Sequence, residues 1–213
     1  IPPLPRFAEG VVHALALYLA ESTHARDHAE DVSDLLVLDG PLYPRGLLRW
    51  ADQHPDLADF LLDDPRPTTV LENYVRLVEA FVDRDVPLVG FVKNPATRVI
   101  TRTLKNNREI DVSVPWANDS ALFTRLLERG EYVDDVDGER WKRDTSALTY
   151  TNWFRSRGGV DRPLSAEGDA LGVDRRLKRQ AYEVTFFVVY DPRDDLLYRI
   201  EAAYALTKDP ATR

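Results

Sequence analysis

Asp39 closes the apolar run DLLVL (34–38) and is followed at once by Gly40 and Pro41, which places it at the carboxyl end of a buried strand. Open α/β sheets present their ligands at that rim. A carboxylate there suits a hard divalent cation. Two such ions, about 3.5–4 Å apart on several carboxylates, clamp the attacking and leaving oxygens of a phosphodiester. The same Asp-Gly pair also makes a turn, with the aspartate accepting from backbone amides two residues on. Taken alone, Asp39 leaves both readings open.

One aspartate cannot hold two ions, so other acids must converge on it. Glu72 and Glu79 share the flank of a helical pattern, Asp119 opens a second helix and Glu201 lies on a late strand. Each also has an ordinary reading, as solvated helix flank, helix cap or arginine partner. Between residues 93 and 108 stand Lys93, Arg98, Arg102, Lys105 and Arg108 with no acid among them, the kind of stripe a phosphate backbone requires. A solubilising helix face would look the same. His24 and His28 have i, i+4 spacing but lack the glutamate of a zincin helix, so they read as an exposed pair. There is no phosphate-binding glycine loop, no dinucleotide fingerprint and no nucleophile elbow. Phosphatases of the haloacid dehalogenase type need a second aspartate two residues after the first, and here that position is Pro41.

The 213 residues suffice for one domain with a sizeable core. With no cysteine there is no disulfide, no thiolate metal site and no cysteine nucleophile, which leaves oxygen or imidazole ligands and favours Mg2+ or Mn2+. The net charge of −8 argues mildly against nucleic acid as partner, so a local basic face would have to overcome it. Asp outnumbers Glu by 24 to 12 and Arg outnumbers Lys by 23 to 5, a bias expected of a high-salt cytoplasm or a GC-rich genome. No apolar run approaches the roughly 20 residues of a membrane span. The chain starts at Ile1 and has no Met, which is expected of a fragment.

The elements that would position these groups follow from the spacing of apolar residues. Helices are expected at about 8–29, 69–84 and 96–106, with another over NDSALFTRLLERGEY capped by Asn118 or Asp119 and stopped by Gly130. In the helix over 69–84, Leu71, Tyr74, Val75, Val78, Phe81 and Val82 form one stripe. Buried strands are expected at 34–38 and 86–92, a polar loop over VDDVDGER, an aromatic strand over 149–157 and a Gly- and Arg-containing excursion over 158–176. The strands 181–190 and 196–206 make a hairpin with a five-residue loop, Tyr198 and Ile200 facing one side and Arg199 and Glu201 the other.

The ordered series LVLDGPL (36–42), LVGFVK (88–93), NDSALFTRLLERGEY (118–132), YEVTFFVVY and LLYRIEAAYAL resembles the NurA nucleases. The resemblance implies an α/β, RNase H-like mixed sheet flanked by helices and a single domain over 1–213. It implies a Mn2+- or Mg2+-dependent deoxyribonuclease with endo- and 5'-3' exonuclease activity. Such a protein is expected to be a cytoplasmic homodimer, of haloarchaeal type here, that works with the hexameric translocase HerA in DNA end resection and double-strand-break repair. Asp39 matches the family's first metal ligand, Asp119 a later acidic position and Lys93 the lysine of a G-x-x-K strand end. Glu79 is chosen over Glu72 as the helical glutamate. The implied set is therefore Asp39, Glu79 and Asp119 as catalytic residues and metal ligands, Glu201 as a further ligand, and Lys93, Arg98, Arg102 and Lys105 on DNA. Family members continue to a Tyr-Pro segment and a histidine that this chain lacks, and Asn94 stands where an acid is sometimes found, so the domain is expected to be incomplete at its C-terminus. The rival readings are a non-catalytic DNA- or translocase-binding module of the same fold and a phosphatase of small substrates.

Overall fold

The computed structural model describes residues 4–44, 63–107, 114–136, 138–156 and 173–208. Helix α1 (Leu4–Asp27) is followed by a short 3-10 turn and strand β1 (Leu36–Leu38). Helix α2 (Pro65–Arg84) leads into β2 (Leu88–Lys93), and α3 (Val99–Asn106) precedes α4 (Asp119–Leu127). Strands β3 (Gly130–Asp135), β4 (Gly138–Arg143), β5 (Thr149–Tyr150) and β6 (Phe154–Arg155) come next, then β7 (Val184–Asp191), β8 (Leu196–Ala203) and a terminal turn of helix, α5 (Tyr204–Thr207).

The main sheet has the order β1-β2-β8-β7-β5, with β6 also on β7. It is mixed: β1 and β2 run parallel, Leu36 opposite Leu88 and Leu38 opposite Gly90, whereas β5 and β7 are antiparallel. This is an α/β fold with a mixed sheet flanked by helices, consistent with an RNase H-like architecture. By compactness the chain divides into two units, Ile1–Gly90 with Arg155–Thr185 and Ala202–Arg213, and Phe91–Phe154 with Phe186–Glu201.

The first unit is built on α2. Asp64 caps it by accepting from the Arg66 amide at 2.9 Å, Pro65 and Pro67 suit its first turn, and Asp85 ends it in the left-handed region at φ 55°. The expected stripe is buried except for half-buried Val82, but so are Val70, Asn73, Leu77 and Glu79, so most of the circumference of α2 lies inside. Phe81 and Val75 are fully buried, each stabilising by about 1.5–3 kcal/mol. Asn73 ties α2 to α1, accepting from Arg26 at 2.8 Å and donating to Ser22 at 3.1 Å. The second unit packs Phe123 of α4 with Phe186, Val188 and Tyr190 of β7 and Leu197 of β8.

Several expectations need correction. VDDVDGER is not a loop: it carries the turn of the β3–β4 ribbon, in which Tyr132 lies opposite Trp141 with ring centroids 5.2 Å apart and Gly138 takes φ 115°. A cross-strand aromatic pair offsets the low strand propensity of its acidic residues. The aromatic strand over 149–157 is two short strands, α4 ends at Leu127 before Gly130, and the β7–β8 connection is four residues, 192–195, with Asp195 at φ 55°. Arg108 and most of the excursion over 158–176 lie outside the described residues.

Candidate functional site

Asp39 is exposed at the carboxyl end of β1 as expected, but the strand is not the buried one expected over 34–38: Leu38 is 4% exposed, whereas Leu35 and Val37 are 49% and 50% exposed. Gly40 adopts φ 153° and its amide donates to the Leu38 carbonyl at 2.9 Å, which turns the chain sharply. The turn lies against Gly90 of β2. A methyl group there would sit 2.8 Å from the Gly40 oxygen and from the Pro41 carbonyl carbon, and closer still to the Leu42 amide. Gly90→Ala is therefore expected to cost roughly 1–3 kcal/mol by overpacking and to shift the Asp39 turn. Urea denaturation combined with a Mn2+ titration would register both effects, and an unchanged midpoint would show that the turn does not rest on Gly90.

Glu21 of α1, which belongs to none of the sequence motifs, lies near enough to Asp39 for the charge of Asp39 to act on it. Burial pushes the Glu21 carboxyl above the usual carboxylate range, and the charge of Asp39 adds to the push. Tyr18 and Tyr74 stand in the same neighbourhood, their hydroxyls raised first by burial and then by the charge of Glu21. The only sequence signal for Glu21 is an acid flanked by the inward-facing Tyr18, Ser22 and Ala25 of an amphipathic helix.

Glu79 is not solvated helix flank. It is 3% exposed, and it accepts from the Tyr182 hydroxyl, from the Arg176 amide at 2.7 Å and from Arg76 at 2.7 Å. Burial alone would raise its pKa, but these hydrogen bonds outweigh it and hold the carboxyl below the usual range. Burial and the bond to Glu79 push the Tyr182 hydroxyl up to about 12. Glu72, by contrast, is exposed and lies 3.5 Å from Arg76.

Asp119 is 4% exposed, and its carboxylate serves a neighbouring helix. Asn118 caps α4 by accepting from Ala121 at 2.9 Å, which frees Asp119 to accept from the Ile100 and Thr101 amides at 3.2 and 2.8 Å and from the Thr97 and Thr101 hydroxyls at 3.0 and 2.9 Å. Arg98, at the N-cap of α3, makes no side-chain cap bond, so Asp119 satisfies the orphan amides instead. On α3 the Thr101 side turns inward, while Arg98, Arg102 and Lys105 are exposed, as is Lys93 at the end of β2. Glu201 is 1% exposed and lies 3.1 Å from Arg199, whose guanidinium sits 3.8 Å from the centroid of the Phe186 ring.

His24 and His28 are an exposed pair with ring centroids 4.5 Å apart. Among the described residues no three His, Asp or Glu side chains converge as a metal group.

A mixed α/β sheet flanked by helices, with an exposed acid at the carboxyl end of its first strand, is consistent with the class of RNase H-like folds. Within that class the chain belongs to the NurA family, whose NurA domain matches residues 11–211. No curated protein and no solved structure matches it. The family is one of metal-dependent nucleases in DNA end processing, and no described helix is long and apolar enough to cross a membrane.

Proposed function

We propose that this chain is a single-domain, Mn2+- or Mg2+-dependent deoxyribonuclease that hydrolyses phosphodiesters, with endo- and 5'-3' exonuclease activity. It acts as a homodimer in end resection and double-strand-break repair alongside a HerA-like hexameric translocase. The observation that carries this reading is the NurA domain spanning residues 11–211 with Asp39 exposed at the end of β1.

In this proposal Asp39 and Glu21 would hold the ion, which when bound would supply charge neutralisation and a water of lowered pKa. Of the other acids expected as ligands, Glu79, Asp119 and Glu201 keep their present partners and act by position. Asp119 fixes the start of α3, so that Arg98, Arg102 and Lys105, with Lys93, guide the strand. Neutralising Arg98, Arg102 and Lys105 to glutamine is expected to weaken binding across all sequences. It should also flatten the dependence of log K on log salt by about 0.9 for each duplex phosphate that the protein no longer neutralises. Fluorescence anisotropy across a salt series measures it, and an unchanged slope would remove α3 from the interface.

The engagement of Glu79, Asp119 and Glu201 by protein partners favours one alternative, a DNA- or translocase-binding module of the same fold that does not cut. Incubation of linear DNA with Mn2+ separates the two: metal-dependent cleavage supports the nuclease, and salt-sensitive binding without cleavage supports the module.

A further inference from the structure

A chain without cysteine offers a metal ion oxygen or imidazole, and four histidines supply the second: His13, His24, His28 and His54. Two of them meet. His24 lies in the last turn of α1, and the His28 amide donates to the His24 carbonyl at 3.1 Å, which carries the helical turn one residue past Asp27. That turn sets the two side chains next to each other on one helical face. Their rings stand 4.5 Å apart between centroids, and both are exposed to solvent.

Asp31 orients one of the pair. Its carboxylate lies 3.0 Å from His28 Nδ1, and an ionised carboxylate only accepts, so Nδ1 is the nitrogen that carries the proton. In the neutral ring the lone pair is then on Nε2. A carboxylate behind an imidazole is how proteins fix the tautomer of a metal-bound histidine and raise its basicity.

The surroundings favour positive charge. Both rings stand at the carbonyl end of a 24-residue helix, where the macrodipole is negative. Between His24 and Asp31 there are three acids, Asp27, Glu30 and Asp31, and one cation, Arg26, which is engaged by Asn73 at 2.8 Å and Asp27 at 3.3 Å. Arg84 donates to the Ala29 and Val32 carbonyls and lies 3.6 Å from Glu30. The donor type then selects the ion: Mg2+ and Mn2+ prefer oxygen, whereas Zn2+, Ni2+ and Cu2+ take imidazole.

We propose that His24 and His28 form a second cation site, built of different residues from the one at Asp39, that takes one imidazole-preferring divalent ion of the Zn2+ class. Asp31 is its positioning residue, water completes the coordination, and the ion holds the last turn of α1 closed. The site stands whether or not the chain cuts DNA.

The test is calorimetric titration of the full chain with ZnCl2, with excess Mg2+ present to occupy oxygen sites. One Zn2+ per chain is expected, and it should be retained in His13→Gln/His54→Gln. His24→Gln and His28→Gln should each lower the affinity by about 100-fold or more, since a chelate that loses one arm loses its effective-concentration gain. Asp31→Asn should lower it by about 10-fold. Zn2+ should raise the melting temperature of the parent but not of His28→Gln. No Zn2+ binding by the parent, or binding that survives His24→Gln and His28→Gln, overturns the site. Should a substitution disturb the fold, Cu2+ electron paramagnetic resonance reads the donors in the parent itself. Coupling to two imidazole nitrogens is the expected result, and coupling to one or none overturns the proposal.

Discussion

Asp39→Asn is expected to fold like the parent, to lose Mn2+-dependent cleavage of linear DNA by roughly 10^3-fold, and to be slightly more stable than the parent when no divalent ion is present. The loss follows from removing a ligand to a cation that contributes several kcal/mol of charge stabilisation in the transition state. The gain in stability follows from Glu21, whose carboxyl is pushed up by burial and then by the charge of Asp39. Asparagine removes the second cause and leaves the Asp39 turn its hydrogen-bonding group. A residue that only makes the turn leaves metal-dependent cleavage unchanged.

The pH dependence carries the same information. A carboxyl with a raised folded pKa contributes stability below its unfolded value and loses it as pH rises through the folded value. Glu21 should therefore make the metal-free parent less stable as pH climbs above the ordinary carboxylate range. Mn2+ at about 100 times its dissociation constant should reverse that loss, adding about 2.7 kcal/mol. Thermal melts of the parent, Asp39→Asn and Glu21→Gln with and without Mn2+ check this. A metal-induced shift that survives both substitutions would place the ion elsewhere.

Glu79→Ala is the substitution expected to cost most in stability, about 3–5 kcal/mol, because it leaves Arg76, the Arg176 amide and the Tyr182 hydroxyl facing a void where a buried carboxylate stood. Here the sign with pH is reversed. The hydrogen bonds of Glu79 overcome its burial and hold its carboxyl below the usual range, so its contribution is present above the unfolded carboxylate value and is lost as pH falls through the depressed folded value. Urea titrations at neutral pH and at successively lower pH should show the gap between parent and Glu79→Ala closing on acidification. A loss of cleavage in Glu79→Gln without any loss of stability would instead make Glu79 a ligand.

The order of elements, the strand end at Asp39, the reach of α2 and the β7–β8 pairing were legible in the sequence, because each depends on local signals: apolar period, proline and glycine breakers, capping residues. The VDDVDGER ribbon was not legible, because the eight residues between its cross-strand pair, Tyr132 and Trp141, are half acidic. What only the tertiary structure decided concerns partners far apart along the chain. Glu79 looked like a wet flank because period alone does not say how many faces of α2 are covered; Tyr182, 103 residues on, covers that one. Asp119 read as a cap for its own helix, but Asn118 does that work and Asp119 caps α3, 18 residues back at Thr101. Alternation on β8 correctly set Tyr198 and Ile200 against Arg199 and Glu201, yet a period of two is symmetric and cannot tell inside from outside. The sequence thus determined that an acid stands at the end of the first strand. The packing of α1, which no local pattern encodes, decided that Glu21 is half-buried and feels the charge of that acid.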